Sequence, residues 1–180
     1  MLTLKEKKYC EEIAARLVRV GEHIAGAGTE FADATKLFRT LATLRDIQGN
    51  LSNDVSFAAT LLAKAFLEKR LGVTFDAAEK PQGASGIDID AKTYTGLRVV
   101  GEIKTTVPYE VNDFGSNQRD SFKKDFSKLK KAVADHKFLF VTDPRTFKLL
   151  SHAKYASQMP SVILVNLLSG KSMPSNALHP

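Results

Sequence analysis

The sequence has a single cysteine, Cys10, among its 180 residues, and it has no long apolar run. One cysteine cannot form an intrachain disulfide, so a reducing, cytoplasmic setting is expected. The apolar runs are far too short to span a membrane, and the charged segment 2–8 lacks the apolar core of a signal peptide. We therefore expect a cytoplasmic protein with no membrane partner.

Several common functional motifs are also missing. The four histidines are isolated from one another, which argues against a zinc site or a histidine-based triad. They are His23, His136, His152 and His179. The pair Gly26 and Gly28 follows a predicted helix and so is not a dinucleotide-binding loop, and no Gly-Lys-Ser/Thr phosphate loop is present. The candidates for chemistry are therefore carboxylates and lysines.

The net charge of +6 is unevenly distributed along the chain. Residues 73–114 contain 4 basic and 7 acidic side chains, whereas residues 115–180 contain 11 basic and 4 acidic ones. Residues 1–72 are nearly balanced, with 11 basic and 9 acidic side chains. An acidic centre beside a basic half suits a metal site next to a phosphate-binding surface. A solvated lysine-rich helix accounts for the basic half at least as well.

Hydrophobic periodicity predicts helices in the first part of the chain. Apolar residues recur at helical spacing from Tyr9 to Ile24 and again from Phe31 to Leu44. A third helix is predicted to begin near Asn53, a good N-cap residue, and to end at Gly72, a typical C′ residue. The pattern predicts an N-terminal helical region at 1–50, followed by a core at 51–180.

The period becomes that of strands after the third helix. The predicted elements are strands at 73–77, 87–94 and 97–106, a helix at 117–135, a strand at 137–142, a helix from Pro144 and a strand at 161–165. The first three strands form a meander, and the third is apolar on both faces around Val99 and Val100, as expected for a central strand. The tail from Ser169 is predicted as loop. We expect an α/β fold of the mixed α+β type, with about five strands flanked by helices.

Two carboxylates and a lysine fall on neighbouring strands of this meander. Asp88 lies on the second strand, and Glu102 and Lys104 lie on the third. Because residues i and i+2 share a face of a strand, Glu102 and Lys104 can point into one site. Carboxylates hold a hard divalent cation, and an ammonium can lie beside the attacking water and the phosphate. The combination favours metal-dependent cleavage of a phosphodiester.

Other combinations of the same residue types compete with this one. The segment 6–8 has the same pattern, but its charges should diverge on a helix, and the segment 135–137 lacks a carboxylate on an adjacent upstream strand. Asp76 with Asp90 and Lys92 is the serious competitor, because Asp90 and Lys92 also share a strand face. Their strand is less apolar than 97–106, which favours the set of Asp88, Glu102 and Lys104.

Each of these residues also has a structural interpretation. Glu102 could be a buried carboxylate paired with Lys104, and Asp88 could cap the turn after Gly86. Asp90 could be a second ligand or a solvent-facing residue. A charged residue in an apolar strand is costly unless it is paired or binds a metal, which favours a functional role for Glu102.

Around these residues the chain resembles the PD-(D/E)xK, or restriction-endonuclease-like, nuclease superfamily. Asp88 takes the first acidic position of the motif, with Ile87 in place of the usual proline, and Glu102-Ile103-Lys104 matches its second half. Two accessory positions are similar. Glu68 matches a glutamate on the first core helix, and Gln118 begins a Gln-x-x-x-Tyr pattern in which Phe122 replaces the tyrosine.

The resemblance covers roughly residues 53–168 and implies a Mg²⁺-dependent endonuclease that hydrolyses DNA, with Mn²⁺ expected to substitute. It implies that Asp88, Glu102 and the backbone carbonyl of Ile103 hold the cation, and that Lys104 orients the attacking water. Further basic residues would contact DNA phosphates from the helix at 117–135. These are Lys123, Lys124 and Lys128.

Double-stranded DNA and a second copy of the chain are the expected partners. The N-terminal helices could form a homodimer, since two symmetric sites cut both strands most easily, and the loop 107–117 could reach base edges. A site-specific, type II restriction-like enzyme is favoured, and a structure-specific repair or recombination nuclease is the close alternative. A non-catalytic DNA-binding module and a lysine-rich protein-interaction domain are the alternatives from other classes.

Overall fold

A five-stranded mixed sheet flanked by helices forms the protein in the computed structural model, which describes residues 1–27, 33–81 and 83–174. The strands are β1 (Ile89–Lys92), β2 (Arg98–Lys104), β3 (His136–Val141), β4 (Ile163–Asn166) and β5 (Ser172–Met173). The helices are α1 (Leu4–Ala27), α2 (Ala34–Gln48), α3 (Leu51–Leu71), α4 (Ser116–Lys131), α5 (Pro144–Ser151) and α6 (Ala153–Ala156). The predicted α/β fold of the mixed α+β type, with about five strands, is confirmed.

The three N-terminal helices begin and end close to their predicted bounds. Asp33 caps α2 by accepting a hydrogen bond from the Thr35 amide, and the Asn50 side chain caps α3. Gly72 ends α3 in the left-handed region at φ 62°, where glycine is favoured. Phe31, which the second apolar pattern includes, and the end of the predicted core at 175–180 lie outside the described residues. Within the described ranges, no helix combines the length and apolar character needed to cross a membrane.

The prediction of a strand at 73–77 is wrong. The segment forms no ladder, so the predicted three-strand meander has only two strands, β1 and β2. Two of its backbone amides form hydrogen bonds outside the sheet. The Val73 amide donates to the Leu67 carbonyl at the end of α3, and the Ala77 amide donates to the carboxylate of Glu6. The fifth strand is instead β5, in the tail that was predicted as loop.

The sheet order is β1-β2-β3-β4-β5. Strands β1 and β2 are antiparallel, with Ile89 opposite Gly101, whereas β2, β3 and β4 are parallel and β5 is antiparallel to β4. Parallel neighbours need a crossover connection. Helix α4 supplies it between β2 and β3, and α5 with α6 supplies it between β3 and β4.

The two faces of the sheet pack against different helices. Val99 of β2 belongs to a buried cluster with Ala63 and Leu67 of α3, whereas Val100 belongs to a second cluster with α4 residues such as Phe122. Alternate residues of β2 therefore face opposite layers. Glu102 and Lys104 continue this alternation and lie on the α4 side of the sheet, where they contact Lys128 and Asp125 of that helix.

Candidate active site

A polar cavity of about 210 Å³ lies where β1 begins and β2 ends. Its walls come from α3, α4, β2 and the loop that follows α3. Four carboxylates and three lysines line it. They are Asp76, Asp88, Glu102 and Asp125, with Lys80, Lys104 and Lys128. The cavity therefore gathers all three residues predicted for catalysis, and its carboxylates outnumber its ammonium groups.

Glu102 is the most enclosed charged group of the cavity, with 1% of its surface exposed. The Lys128 ammonium donates to both of its carboxylate oxygens, at 3.0 and 3.2 Å. Burial raises the pKa of Glu102, and the negative charges of Asp88 and Asp125 raise it further. The hydrogen bond from Lys128 acts in the opposite direction, and the resulting pKa is about 8. The charges of Asp88 and Asp125 destabilise the ionised form of Glu102, and the positive charge of Lys128 offsets this effect only in part.

Asp88 is exposed and lies beside Glu102 at the end of the β1–β2 ladder. Ile89 is paired with Gly101 in this antiparallel ladder, so Asp88, which precedes Ile89, lies next to Glu102, which follows Gly101. One Asp88 oxygen accepts a hydrogen bond from the Ile103 amide at 2.8 Å. This bond links Asp88 to the strand that carries Glu102. It differs from the alternative role considered for Asp88, the cap of a turn after Gly86.

Lys104 shares its face of β2 with Glu102, as the strand period predicts. Its ammonium lies 2.7 Å from an oxygen of Asp125 and donates to the Ser121 hydroxyl at 2.9 Å. The pairing of Lys104 with Glu102, considered as a structural alternative, does not form: Lys104 pairs with Asp125, and Lys128 pairs with Glu102. The lysine is therefore held at the wall of the cavity by α4.

Asp125 is a site residue that the sequence interpretation missed. It is buried on α4, 3.5 Å from Lys128, and it lies between the two lysines of the site. The residues Ser121, Asp125 and Lys128 follow the i, i+4, i+7 spacing of one helix face. Because this face lies beside the buried residues Phe122 and Phe126, the spacing could have indicated that Asp125 faces the sheet. Lys128, predicted as a DNA phosphate contact, lies in the cavity itself.

The competing set of Asp76, Asp90 and Lys92 is not brought together. Asp76 lines the cavity, where one of its oxygens accepts a bond from the Ala78 amide. Asp90 lies outside the cavity lining and receives two hydrogen bonds from Arg98, at 2.6 and 2.9 Å. These bonds lower the pKa of Asp90. The arrangement leaves Asp90, also considered as an accessory residue, engaged in a surface ion pair.

The other accessory candidates lie away from the cavity. Glu68 is 3.5 Å from the amino group of Met1, and α3 contributes Ser56 and Thr60 to the cavity lining in its place. Gln118 is buried and orders the loop before α4: its side chain accepts from the amides at 109 and 115 and donates to the carbonyl of Val107. It therefore organises the loop that was predicted to reach DNA bases.

Lys123 and Lys124, predicted to contact DNA phosphates, lie on the exposed surface of α4. Neither contributes to the cavity lining, and Lys123 pairs with Asp120 at 3.2 Å. Lys128 is thus the one member of the predicted phosphate-binding set that reaches the carboxylates.

The donor atoms of the cavity fit a hard divalent cation. Asp88 and Glu102 offer carboxylate oxygens, the ligand type that Mg²⁺ prefers. Within the part of the chain that the structure describes, no group of three or more His, Cys, Asp or Glu residues is arranged to hold a metal ion. A cation here would be held by two carboxylates with backbone or water oxygens, a pattern common for Mg²⁺, which keeps several waters.

Compared with known proteins, the chain matches no family model, no curated protein and no solved structure. The resemblance to the PD-(D/E)xK superfamily therefore remains a prediction from the sequence motif.

Proposed function

We propose that the protein is a Mg²⁺-dependent endonuclease that hydrolyses DNA phosphodiester bonds. The observation that carries this proposal is the buried Glu102, placed beside Asp88 and on the same strand face as Lys104, in a cavity where carboxylates are in excess. Structural carboxylates are usually balanced by cations or amide donors. A cluster in which burial and two neighbouring charges raise the pKa of one member is typical of functional sites.

Asp88, Glu102 and the backbone carbonyl of Ile103 would hold the cation, and Mn²⁺ is expected to substitute. When bound, the cation would polarise the scissile phosphate and lower the pKa of a bound water. Lys104, fixed by Asp125 and Ser121, orients the attacking water and stabilises negative charge on the phosphate. The fixed position matters because a preorganised donor needs no reorganisation during the reaction.

Lys128 favours the ionised form of the buried Glu102, because it limits the rise in the pKa of that carboxyl. Its hydrogen bonds lower the pKa of Glu102 against the effects of burial and of Asp88. Because a protonated carboxylic acid is a poor metal ligand, this lysine preserves the ligand. Lys128 thus acts through Glu102, as a positioning and charge-balancing residue.

We further propose a site-specific, type II restriction-like enzyme that acts on double-stranded DNA in the cytoplasm as a homodimer. The loop before α4 supports base contacts, because Gln118 fixes its backbone while the side chains of Tyr109 and Val111 are exposed. Such side chains can reach into a groove. A structure-specific repair or recombination nuclease would use the same chemistry. Light scattering of the purified protein tests the homodimer directly.

Plasmid cleavage tests the proposal. Wild-type protein should cut supercoiled plasmid in Mg²⁺ and not in EDTA, and Lys104→Ala should cut about 10²–10³-fold more slowly, the usual effect of removing one such donor. Lys92→Ala is the matched control, since Lys92 has the same spacing from a strand carboxylate but lies outside the cavity lining. Cleavage in EDTA, or equal loss in the two variants, would contradict the mechanism.

A non-catalytic DNA-binding module is the second candidate function. It is favoured by one observation: Lys128 contacts Glu102, and Lys104 contacts Asp125, so two carboxylates of the cavity have ammonium partners without a metal. In that case the protein would shift a labelled duplex in a binding assay but would leave every form of plasmid intact in Mg²⁺ and in Mn²⁺.

A further inference from the structure

A second cavity, of about 420 Å³, adjoins the candidate active site. The two cavities share Lys80 and Pro81 in their walls. We call the second cavity the basic groove. Its lining is Lys5, Lys8, Tyr9, Glu12, Asn53, Ala78, Lys80 and Pro81. Four of its lining residues belong to α1, a helix that lies outside the residues 53–168 covered by the family resemblance.

The charges of the basic groove are the reverse of those of the active site. Three lysines and a single carboxylate line the groove, whereas four carboxylates and three lysines line the candidate active site. Lys5 and Lys8 are exposed, and neither forms an ion pair within the ranges that the structure describes. Their charges are therefore available to an anionic ligand.

The helical period places the groove residues on one side of α1. Lys5, Lys8, Tyr9 and Glu12 follow the i, i+3, i+4, i+7 spacing of a single helix face. Glu6 holds this face in position, because its buried carboxylate accepts hydrogen bonds from Lys64 on α3 and from the Ala77 amide. The start of α1 is thus fixed against the loop that separates the groove from the active site.

We propose that the basic groove binds the phosphate backbone of DNA where the duplex extends away from the cleavage cavity. The proposal rests on the proposed nuclease function and adds the path of the substrate. Lysine ammonium groups bind phosphates through a sequence-independent attraction, and the Asn53 side chain is of the kind that donates to phosphate oxygens. Lys80, at the junction of the two cavities, connects the groove to the scissile position.

In this proposal the lysines that contact phosphates lie on α1 and differ from those predicted on α4. Lys123 and Lys124 line neither cavity, whereas Lys5 and Lys8 line the groove. Helix α1 is thereby part of the DNA-binding surface, in addition to any role in a homodimer.

The test is the binding of a fluorescent duplex of about 30 base pairs, in Ca²⁺ to separate binding from cleavage, over a range of salt concentrations. Lys5→Ala/Lys8→Ala should weaken binding roughly tenfold, and the slope of log affinity against log salt should fall by about 2, close to one unit per lost contact. The matched control is Lys7→Ala/Lys69→Ala, which removes two exposed lysines outside both cavities. It should change affinity and slope little.

Equal effects of the two double variants would overturn the groove while leaving the nuclease proposal intact. A wild-type protein that binds no duplex would overturn both. If the wild-type protein binds DNA but does not cut plasmid in Mg²⁺, only the nuclease proposal fails, and the comparison of the double variants still decides the groove.

Discussion

Two buried glutamates in this protein, Glu6 and Glu102, have the same chemistry and opposite surroundings. Both are almost fully inaccessible, and both receive hydrogen bonds from a lysine ammonium. The pKa of Glu6 is lowered, whereas the pKa of Glu102 is raised to about 8. The lysine partner therefore does not decide the charge state of a buried carboxylate; the remaining neighbours do.

The neighbours of Glu6 are donors. Burial alone would raise its pKa, but hydrogen bonds from Lys64 and from the amides of Ala77 and Thr3 together outweigh burial. The further neighbours of Glu102 are the carboxylates of Asp88 and Asp125. A structural ion pair is satisfied within the protein, whereas the Glu102 cluster would be completed by a ligand of positive charge.

The largest expected effect is on catalysis. Glu102→Gln should reduce plasmid cleavage in Mg²⁺ by roughly a thousand-fold or more, because a bound metal contributes several kcal/mol to the transition state and about 1.4 kcal/mol is a factor of ten. In EDTA the same variant should unfold at the same or a higher urea concentration than wild type. A large loss of stability in Glu102→Gln would indicate that Glu102 is a structural residue, as Glu6 is.

The next largest effect is on folding. Glu6→Ala should lower the free energy of unfolding by about 3–5 kcal/mol, because it leaves the Lys64 ammonium buried without its partner. Urea denaturation measures the change. The double variant Glu6→Leu/Lys64→Met should recover most of the loss, since it removes both charges. If the single and double variants are equally unstable, the ion pair is not the cause.

The third effect is the pH dependence of stability in EDTA. Because folding raises the pKa of Glu102 from 4.5 to about 8, the folded state binds more protons than the unfolded state between these values. The contribution of Glu102 to stability should therefore decrease as pH rises from about 4.5 to about 8. That of Glu6, whose pKa is lowered, should be lost only as pH falls below 4.5. Urea denaturation of wild type and Glu102→Gln across this range should give converging stabilities at low pH.

The smallest effect concerns Lys128. Its replacement by alanine should raise the pKa of Glu102 further, because the hydrogen bonds that lower it are lost. Cleavage at neutral pH should fall by about 10–100-fold, as for other residues that support a metal ligand. Activity should recover in part at higher pH, where Glu102 ionises again. A loss that is constant with pH would indicate that Lys128 acts on the substrate directly.

Contacts between residues close together in the chain were predicted correctly, whereas contacts between distant residues were not. The strand period placed Glu102 and Lys104 on one face, and antiparallel pairing of adjacent strands placed Asp88 beside them; both rules act over short stretches of chain. The strand predicted at 73–77 failed because the Ala77 amide is taken by Glu6, 71 residues earlier. Asp125 was missed because it reaches the site from a crossover helix, and its charge entered only the total count for residues 115–180.

The most direct test of the central claim is a calorimetric titration of Mn²⁺ into the protein. Wild type and Asp90→Asn should bind the ion with the same affinity, because Asp90 is held by Arg98 outside the cavity. Asp88→Asn and Glu102→Gln should lose the binding. Unchanged Mn²⁺ binding by both cavity variants, or its loss in Asp90→Asn alone, would contradict a metal site formed by Asp88 and Glu102.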